Sequence, residues 1–239
     1  MNDSRAHFAS RADATAEQIA VDGFAIIPDL LAHSDVAKLI EALQWSELPR
    51  TRAGVRHAMK VPAVSSLALD ARLVELARAV LGSGAFPFRA TLFDKSPTAN
   101  WLVVWHQDTA LPLQQRREVD GWGPWSVKDG LHYAHAPSAA LAQVVALRVH
   151  LDDSGVDNGP LRVLPGTHGR GVLSDDEIHR LSTQLTATDC LAPRGGVVAM
   201  RPLIVHASSK SQSAAPRRVL HIEYAAASEI APELSLAIA

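Results

Sequence analysis

The chain has 239 residues, of which 47% are hydrophobic and 20% charged, and 23 Lys and Arg oppose 25 Asp and Glu for a net charge of −2. Disorder is excluded by the apolar content, a nucleic-acid footprint by the charge balance, and a membrane span by the lack of any apolar run near the roughly 20 residues it needs. The single cysteine, Cys190, excludes a disulfide framework and cysteine-rich zinc or iron–sulfur sites. Any metal must therefore rest on carboxylates and on the eleven histidines. Residues Met1 to Asp13 are polar and mixed in charge, unlike a secretory signal, so a cytoplasmic protein is expected.

Helical signals crowd into the first third. Thr15-Ala16-Glu17-Gln18 fits a capping box, and Gly23 to Pro28 reads as a short buried strand closed by proline. Ser34 can cap a helix carrying Val36, Leu39, Ile40 and Leu43. Ser66 to Leu81 predicts one helix with Leu69, Leu73, Leu76 and Val80 on a stripe and Gly82 as its stop. After Gly84 the pattern turns to strands: 86–93, 101–108, 144–151, 161–164, 196–200, 203–206 and 217–224. Short strands separated by Gly, Pro and Asn turns argue for a sandwich or barrel rather than βαβ units. With no internal repeat or low-complexity linker, residues 1–239 read as one domain, a helical flank over about 1–83 and a β core over about 84–226. Residues 109–140 are too long for an ordinary connection and carry Trp122, Trp125 and His132, which predicts a lid or binding loop with these three as substrate contacts.

Trp105-His106-Gln107-Asp108 ends an apolar strand, where His106 and Asp108, two apart, can present an imidazole and a carboxylate to one point. A distant histidine would complete the two-histidine, one-carboxylate face that binds ferrous iron and leaves positions open. His150-Leu151-Asp152 is a rival pair of the same spacing, set where a strand enters a turn. For the third ligand, Leu203 to Ser208 is an apolar segment that turns polar at His206. Eleven residues on, Arg217 lies inside an apolar strand, where its charge demands an anion; a bidentate carboxylate such as that of 2-oxoglutarate would satisfy it. Arg89, Thr91 and Phe93 share one strand face, and Thr91 is expected to border that co-substrate. Gln107 faces away from the ligands and is expected to be structural, while Lys95 and His179 read as surface residues.

These segments resemble the phytanoyl-CoA dioxygenase family. The resemblance rests on Asp22-Gly23-Phe24, Trp105 to Asp108, the run Asn158-Gly159-Pro160-Leu161 to Pro165-Gly166-Thr167-His168, and His206-Ala207-Ser208 followed by Pro216-Arg217-Arg218. They stand in family order across about residues 15–226. The resemblance implies a mainly β protein with flanking helices and a double-stranded β-helix (jelly-roll, cupin-like) core. It further implies that His106, Asp108 and His206 hold iron(II), which settles the rivalry, and that Arg217 with Ser208 holds 2-oxoglutarate. The implied activity is hydroxylation of an unactivated C–H bond of a small metabolite with dioxygen, releasing succinate and carbon dioxide. The alternatives are a catalytically silent binding homologue and a cupin-like metal enzyme that does not use 2-oxoglutarate. Asp108 argues against halogenation, since halogenating relatives lack this carboxylate. One departure is Ser211, where many relatives carry asparagine. Small-molecule binding is expected, without nucleic acid or membrane partners; substrate and oligomeric state are not fixed by these residues.

Overall fold

The computed structural model describes residues 2–44, 46–51, 54–96 and 99–239. A seven-stranded antiparallel sheet runs in the order Phe24–Ile27, Val197–Met200, Val144–His150, Arg217–Ala225, Phe86–Lys95, Gly54–Val55, Arg50–Thr51. A four-stranded sheet, Thr188–Cys190, Leu161–Val163, His206–Ser208, Val103–His106, accompanies it. Together they form the double-stranded β-helix, or jelly roll. No helix among the described residues is long and apolar enough to cross a membrane.

Strand alternation gives the large sheet two chemically different faces. Leu220, Ile222 and Tyr224 point outward with Leu147, Val149 and Leu92 into a core shared with Ile19, Val36, Leu39, Leu73 and Leu76 of the helices. Each such fully buried side chain contributes about 1.5–3 kcal/mol. The Tyr224 hydroxyl is satisfied by donating to the Ala68 carbonyl at 2.8 Å. The intervening residues Arg217, Val219, His221 and Glu223 face the small sheet, directly opposite Lys95, Phe93, Thr91 and Arg89 of the neighbouring strand. A polar interior thus comes from the same period-two pattern that builds the helix-facing core.

The helical flank differs from its expected boundaries. The first helix runs from Asn2 to Asp22 straight through Thr15, whose Oγ1 donates to the Arg11 carbonyl four residues back at 2.8 Å instead of capping. Gly23, at φ +83°, ends it, and a Cβ there would lie 2.5 Å from the His168 ring. The second begins at His33, one residue before the expected cap Ser34. The expected 66–81 helix is two, Pro62–Ala68 and Ala71–Leu81, because the Asp70 side chain accepts from the Arg72 amide and starts a new helix. Leu69, in the break, is 67% exposed rather than on the buried stripe.

Two β assignments also shift. The strand expected at 203–206 begins at His206; Leu203 and Ile204 lie in a turn closed by Ile204 N–H donating to Arg201. Residues 109–140 are not a loop but a small antiparallel sheet, Ala110–Leu113, Leu131–His135 and Trp125–Lys128, followed by the helix Ser138–Leu141. Past residue 226 the chain packs back, and Leu234 and Leu236 bury against Leu111, Leu113 and Trp122.

Candidate active site

Antiparallel pairing of Val103–His106 with His206–Ser208 sets His206 directly opposite His106. Their rings lie 4.2 Å apart, centroid to centroid. Asp108, just past the strand end, approaches both: its oxygens are 3.7 Å from His106 Nε2 and 3.5 Å from His206 Nε2. All three donor atoms fall within 4.8 Å of one another. His106 Nδ1 donates to the Val104 carbonyl at 2.8 Å and His206 Nδ1 to that of Ile204 at 2.9 Å. A carbonyl can only accept, so each Nε2 carries a free lone pair aimed at the same point, the tautomer a metal requires. Burial, opposed by Asp108, moves His206 down to about 4, which keeps its imidazole neutral. Burial raises the Asp108 carboxyl, but His206 and His106 outweigh it and hold the group well below the usual carboxylate range. His206 is 5% exposed while His106 and Asp108 are 37% and 35% exposed, so one flank of the triad stays open to incoming ligands.

Beside the triad lies a cavity of about 100 Å³, lined on its far side by Lys95, Arg148, Ser208 and Arg217. Arg217, 3% exposed, donates through Nε to the Asn158 carbonyl at 3.1 Å and through Nη2 to Ser208 Oγ at 3.4 Å, while Nη1 has no partner. Lys95, 1% exposed, donates to Ser208 Oγ at 2.7 Å and to the Ser209 carbonyl at 2.6 Å. Arg148 donates to His221 Nδ1 at 3.0 Å, stacks over Phe93 at 5.3 Å, and leaves Nε unpartnered. Burial, then Arg217 and Arg148, pulls Lys95 down to about 7. Burial with the charge of Arg148 pulls Arg217 down to about 10. Among the cavity's lining residues these three cations face a single carboxylate, Asp108. Three buried cations beside one acid are costly alone and are matched by a dianionic ligand.

The turn motifs hold this chamber together. Asn158 offers its carbonyl to Arg217 while its side-chain amide spans Asp153 and Gly155, and Gly159 offers its carbonyl to Ser208 at 2.9 Å. Gly159 sits at φ +67° with the Ser209 carbonyl oxygen 2.3 Å from where a Cβ would be, so only glycine fits. Thr167 of the Pro-Gly-Thr-His turn accepts from the Val205 amide at 2.9 Å, fixing the residue before His206. Gln107 donates to the Leu203 and Gly171 carbonyls and accepts from the Leu173 amide, the structural role its outward direction predicts. Where Ser211 replaces the family's asparagine, Asn100 from another segment clasps the Ser211 backbone with two 2.8 Å bonds.

The expected residues do not all converge. Asp152 of the rival pair is taken by Arg218 in a bidentate pair at 2.7 and 2.8 Å, and His150 is buried with both nitrogens unpartnered. Thr91 pairs with His221 on the inner face and is absent from the cavity lining. Trp122 packs into the cluster of Leu111, Leu113 and Leu236. Trp125 lies partly buried under Arg116, and His132 alternates with Tyr133, placing it on the strand face that Ala134 shares. Lys95, read as a surface lysine, is instead among the most buried side chains, because its strand runs two residues further than expected and carries it beneath Ser208 and Ser209. Arg148 belongs to the same set, and one signal could have found it: a lone cation within the apolar strand Val144–His150 demands an anion as Arg217 does.

The family model described as Phytanoyl-CoA dioxygenase (PhyH) matches residues 19–219. The chain is 29% identical to L-proline trans-4-hydroxylase of Streptomyces griseoviridis over 242 aligned residues, covering 85% of this chain and 82% of that protein. Among solved structures, AviO1 from Streptomyces viridochromogenes Tue57 matches with a TM-score of 0.65 at 25% identity, over 89% of this chain and 93% of that one. EctD from S. alaskensis with bound Fe matches with a TM-score of 0.67 over 89% and 75% of the two chains; at 20% identity that likeness is one of fold.

Proposed function

The chain belongs to the phytanoyl-CoA dioxygenase family, and from that premise we propose that it hydroxylates an unactivated C–H bond of a small organic metabolite. Its class is that of the 2-oxoglutarate-dependent non-haem iron oxygenases, with iron(II), 2-oxoglutarate and dioxygen as cofactor and co-substrates. The reaction balances as R–H, dioxygen and 2-oxoglutarate giving R–OH, succinate and carbon dioxide, one oxygen atom entering each organic product. The observation that carries the reading is the juxtaposition of the His106, Asp108, His206 triad with an unneutralised cation cluster across the same cavity. A cupin-like enzyme without 2-oxoglutarate would leave those cations unmatched.

His106, Asp108 and His206 would hold the iron, which when bound supplies the redox chemistry coupling dioxygen reduction to decarboxylation. Arg217 orients the distal carboxylate of 2-oxoglutarate through its free Nη1, with Ser208 as a neighbouring hydroxyl and Lys95 and Arg148 completing the charge match. Anchoring one end of the co-substrate directs the other toward the triad. The test is succinate formation from 2-oxoglutarate by the iron-loaded protein, with 2-oxoglutarate binding measured by calorimetry. Binding together with iron-dependent succinate release supports the proposal; absence of both refutes it.

Lys95 makes that binding pH-dependent. Its ammonium form is held to about 7 in the free site, and a bound dianion favours that form. Above pH 7 the free protein has lost this proton and binding takes one up, so affinity falls by up to tenfold per pH unit until the pKa of the complex is reached. Calorimetry at pH 8 in buffers of different ionisation enthalpy is expected to register uptake approaching one proton, and Lys95→Met to abolish most of it.

A further inference from the structure

The cavity beside the triad has two ends, and strand register orders the side chains between them. Lys95 stands beside Arg217 on one rung of the large sheet, Phe93 beside Val219 on the next inward-facing rung, and Thr91 beside His221 on the one after, where Arg148 is the other neighbour of His221. Arg89 and Glu223 close the series, and Arg89 Nη1 donates to the Ala110 carbonyl at 3.0 Å, two residues past Asp108. The small sheet runs the same way: Ser208 receives Lys95 and Arg217, and His206 stands two residues further along. Of the three cations lining the cavity, Arg148 is therefore the one set toward the triad. The charges agree. Burial lowers Arg148 and Asp108 opposes it most, whereas burial and neighbouring cations alone act on Lys95 and Arg217, and of the three only Arg148 acts on His206.

Arg148 is held from behind by a neutral group. Its Nη1 donates to His221 Nδ1 at 3.0 Å, its guanidinium carbon lies 5.3 Å from the Phe93 ring, one inward rung nearer Arg217, and its Nε has no partner. A guanidinium only donates, so His221 Nδ1 is the bare nitrogen of the ring and Nε2 carries the hydrogen. Burial, with the charge of Arg148, holds His221 well below its usual value and keeps the ring neutral. Nε2 is turned to Glu223 Oε2 at 3.7 Å, Arg89 grips Glu223 through Nε and Nη2, and the Phe93 ring meets His221 edge-on at 5.8 Å. Tautomer and ring orientation are thus fixed, and with them the direction of the guanidinium. Packing alone does not call for this: a buried cation held by a neutral imidazole stabilises a sheet less than an apolar pair in the same place.

From this order we infer that different cations read the two ends of the co-substrate: Arg217 and Lys95 take the distal carboxylate, and Arg148 takes the carboxylate next to the keto group, on the triad side. His221, steadied by Glu223, is the positioning residue that aims Arg148. Two anchors fix a flexible dicarboxylate in both length and direction, where one would leave the metal-side end free to swing. Each carboxylate of the dianion then meets its own charged donor. The inference rests on the oxygenase reading of this site and deepens it.

Two mono-acids separate the ends. 2-Oxopentanoate is 2-oxoglutarate with a methyl group in place of the distal carboxylate, and 4-oxopentanoate has the methyl group at the keto end instead. The two 2-oxo acids are titrated against the anaerobic iron(II) protein by the visible charge-transfer band that chelation produces. Arg148→Met is expected to weaken both alike, by at least about tenfold, and so to leave the preference for 2-oxoglutarate over 2-oxopentanoate within about twofold of its original value. Arg217→Met is expected to collapse that preference. His221→Phe keeps a ring without an acceptor and is expected to follow Arg148→Met, whereas His221→Asn, whose amide oxygen stands near the place of Nδ1, is expected to recover most of the loss. A histidine that only filled space would not be rescued by the smaller amide. Unchanged 2-oxopentanoate affinity in Arg148→Met overturns the assignment, and so does a collapse of the preference, which would put Arg148 on the distal carboxylate. An asparagine variant no better than the phenylalanine one overturns the role of His221. If the variants do not fold, calorimetry on the unaltered, metal-free protein decides: Arg148 should make 2-oxoglutarate bind at least about tenfold more tightly than 4-oxopentanoate without any iron, and equal binding, or none of either, overturns the inference. Each of these failures leaves the oxygenase reading standing as long as 2-oxoglutarate still gives the band with iron(II). Failure of the band to form in the unaltered protein overturns both.

Discussion

Replacing Asp108 by alanine is expected to abolish both iron binding and turnover while leaving the fold intact. Asp108 is the only carboxylate on the triad, and the two imidazoles that remain cannot supply the third donor. The loss should exceed the roughly 10–100-fold that removal of an outer hydrogen-bond partner costs a metal site. The fold should tolerate the change because the side chain is 35% exposed, follows the strand end, and makes no hydrogen bond that holds another element. Its backbone N–H, which donates to the Pro202 carbonyl at 3.0 Å, is retained. Thermal unfolding separates the two effects. Iron(II) at 100 times its Kd should stabilise the unaltered protein by about 2.7 kcal/mol and the variant by nothing, with matching melting curves in chelator. A variant that still gains stability from iron would remove Asp108 from the ligand set.

Runs of β-branched and aromatic residues between Gly, Pro and Asn turns made most of the strands legible, since strands such as Val144–His150 and Val197–Met200 are buried along their whole length and read as short apolar runs. The helical flank was less so. Leu69 continues the spacing of a helical stripe, yet Asp70 competes for the Arg72 amide, and a side-chain cap overrides periodicity at that point. Thr15 failed in the opposite sense: its hydroxyl finds the carbonyl four residues back, so a capping-box pattern lies inside a continuous helix. Which residues of 109–140 face the chemistry was not legible either, since Trp122 is drawn into a core built partly from Leu234 and Leu236 at the far end of the chain. No local signal carries that contact.

The candidate site divides along the same line. His106, Asp108, His206 and Arg217 stand in motifs whose spacing is set by strand geometry, and the fold brings them to one cavity. Lys95, Arg148, Arg89 and Glu223 come together only through strand register: Lys95 opposes Arg217, Arg148 opposes His221, and Arg89 opposes Glu223. Register cannot be read before the pairing of strands 73 to 134 residues apart is known. What the sequence did hold was the anomaly itself, Arg217, His221 and Glu223 on one face of Arg217–Ala225 within a largely apolar run.

Arg217→Met should trade co-substrate affinity for stability. In the free protein the guanidinium is buried, has no ion-pair partner among the described residues, and leaves Nη1 unsatisfied. Methionine keeps most of the stem and removes the uncompensated charge beside Lys95 and Arg148, so the free variant should melt at the same temperature or higher. With 2-oxoglutarate the sign reverses. Truncating one partner of a buried, charge-assisted pair costs about 2–5 kcal/mol, which is roughly 30- to 5000-fold in Kd. Lysine should rescue poorly, since an ammonium can neither reproduce the Nε contact to Asn158 nor present a planar fork to a carboxylate. Calorimetric Kd values for Arg217→Met and Arg217→Lys, set beside melting temperatures with and without 2-oxoglutarate, check both halves. Unchanged affinity in Arg217→Met would refute the assignment of this residue to the co-substrate. A large drop in stability of the free variant would show that the guanidinium is compensated after all, and that the cavity is not held open for an anion.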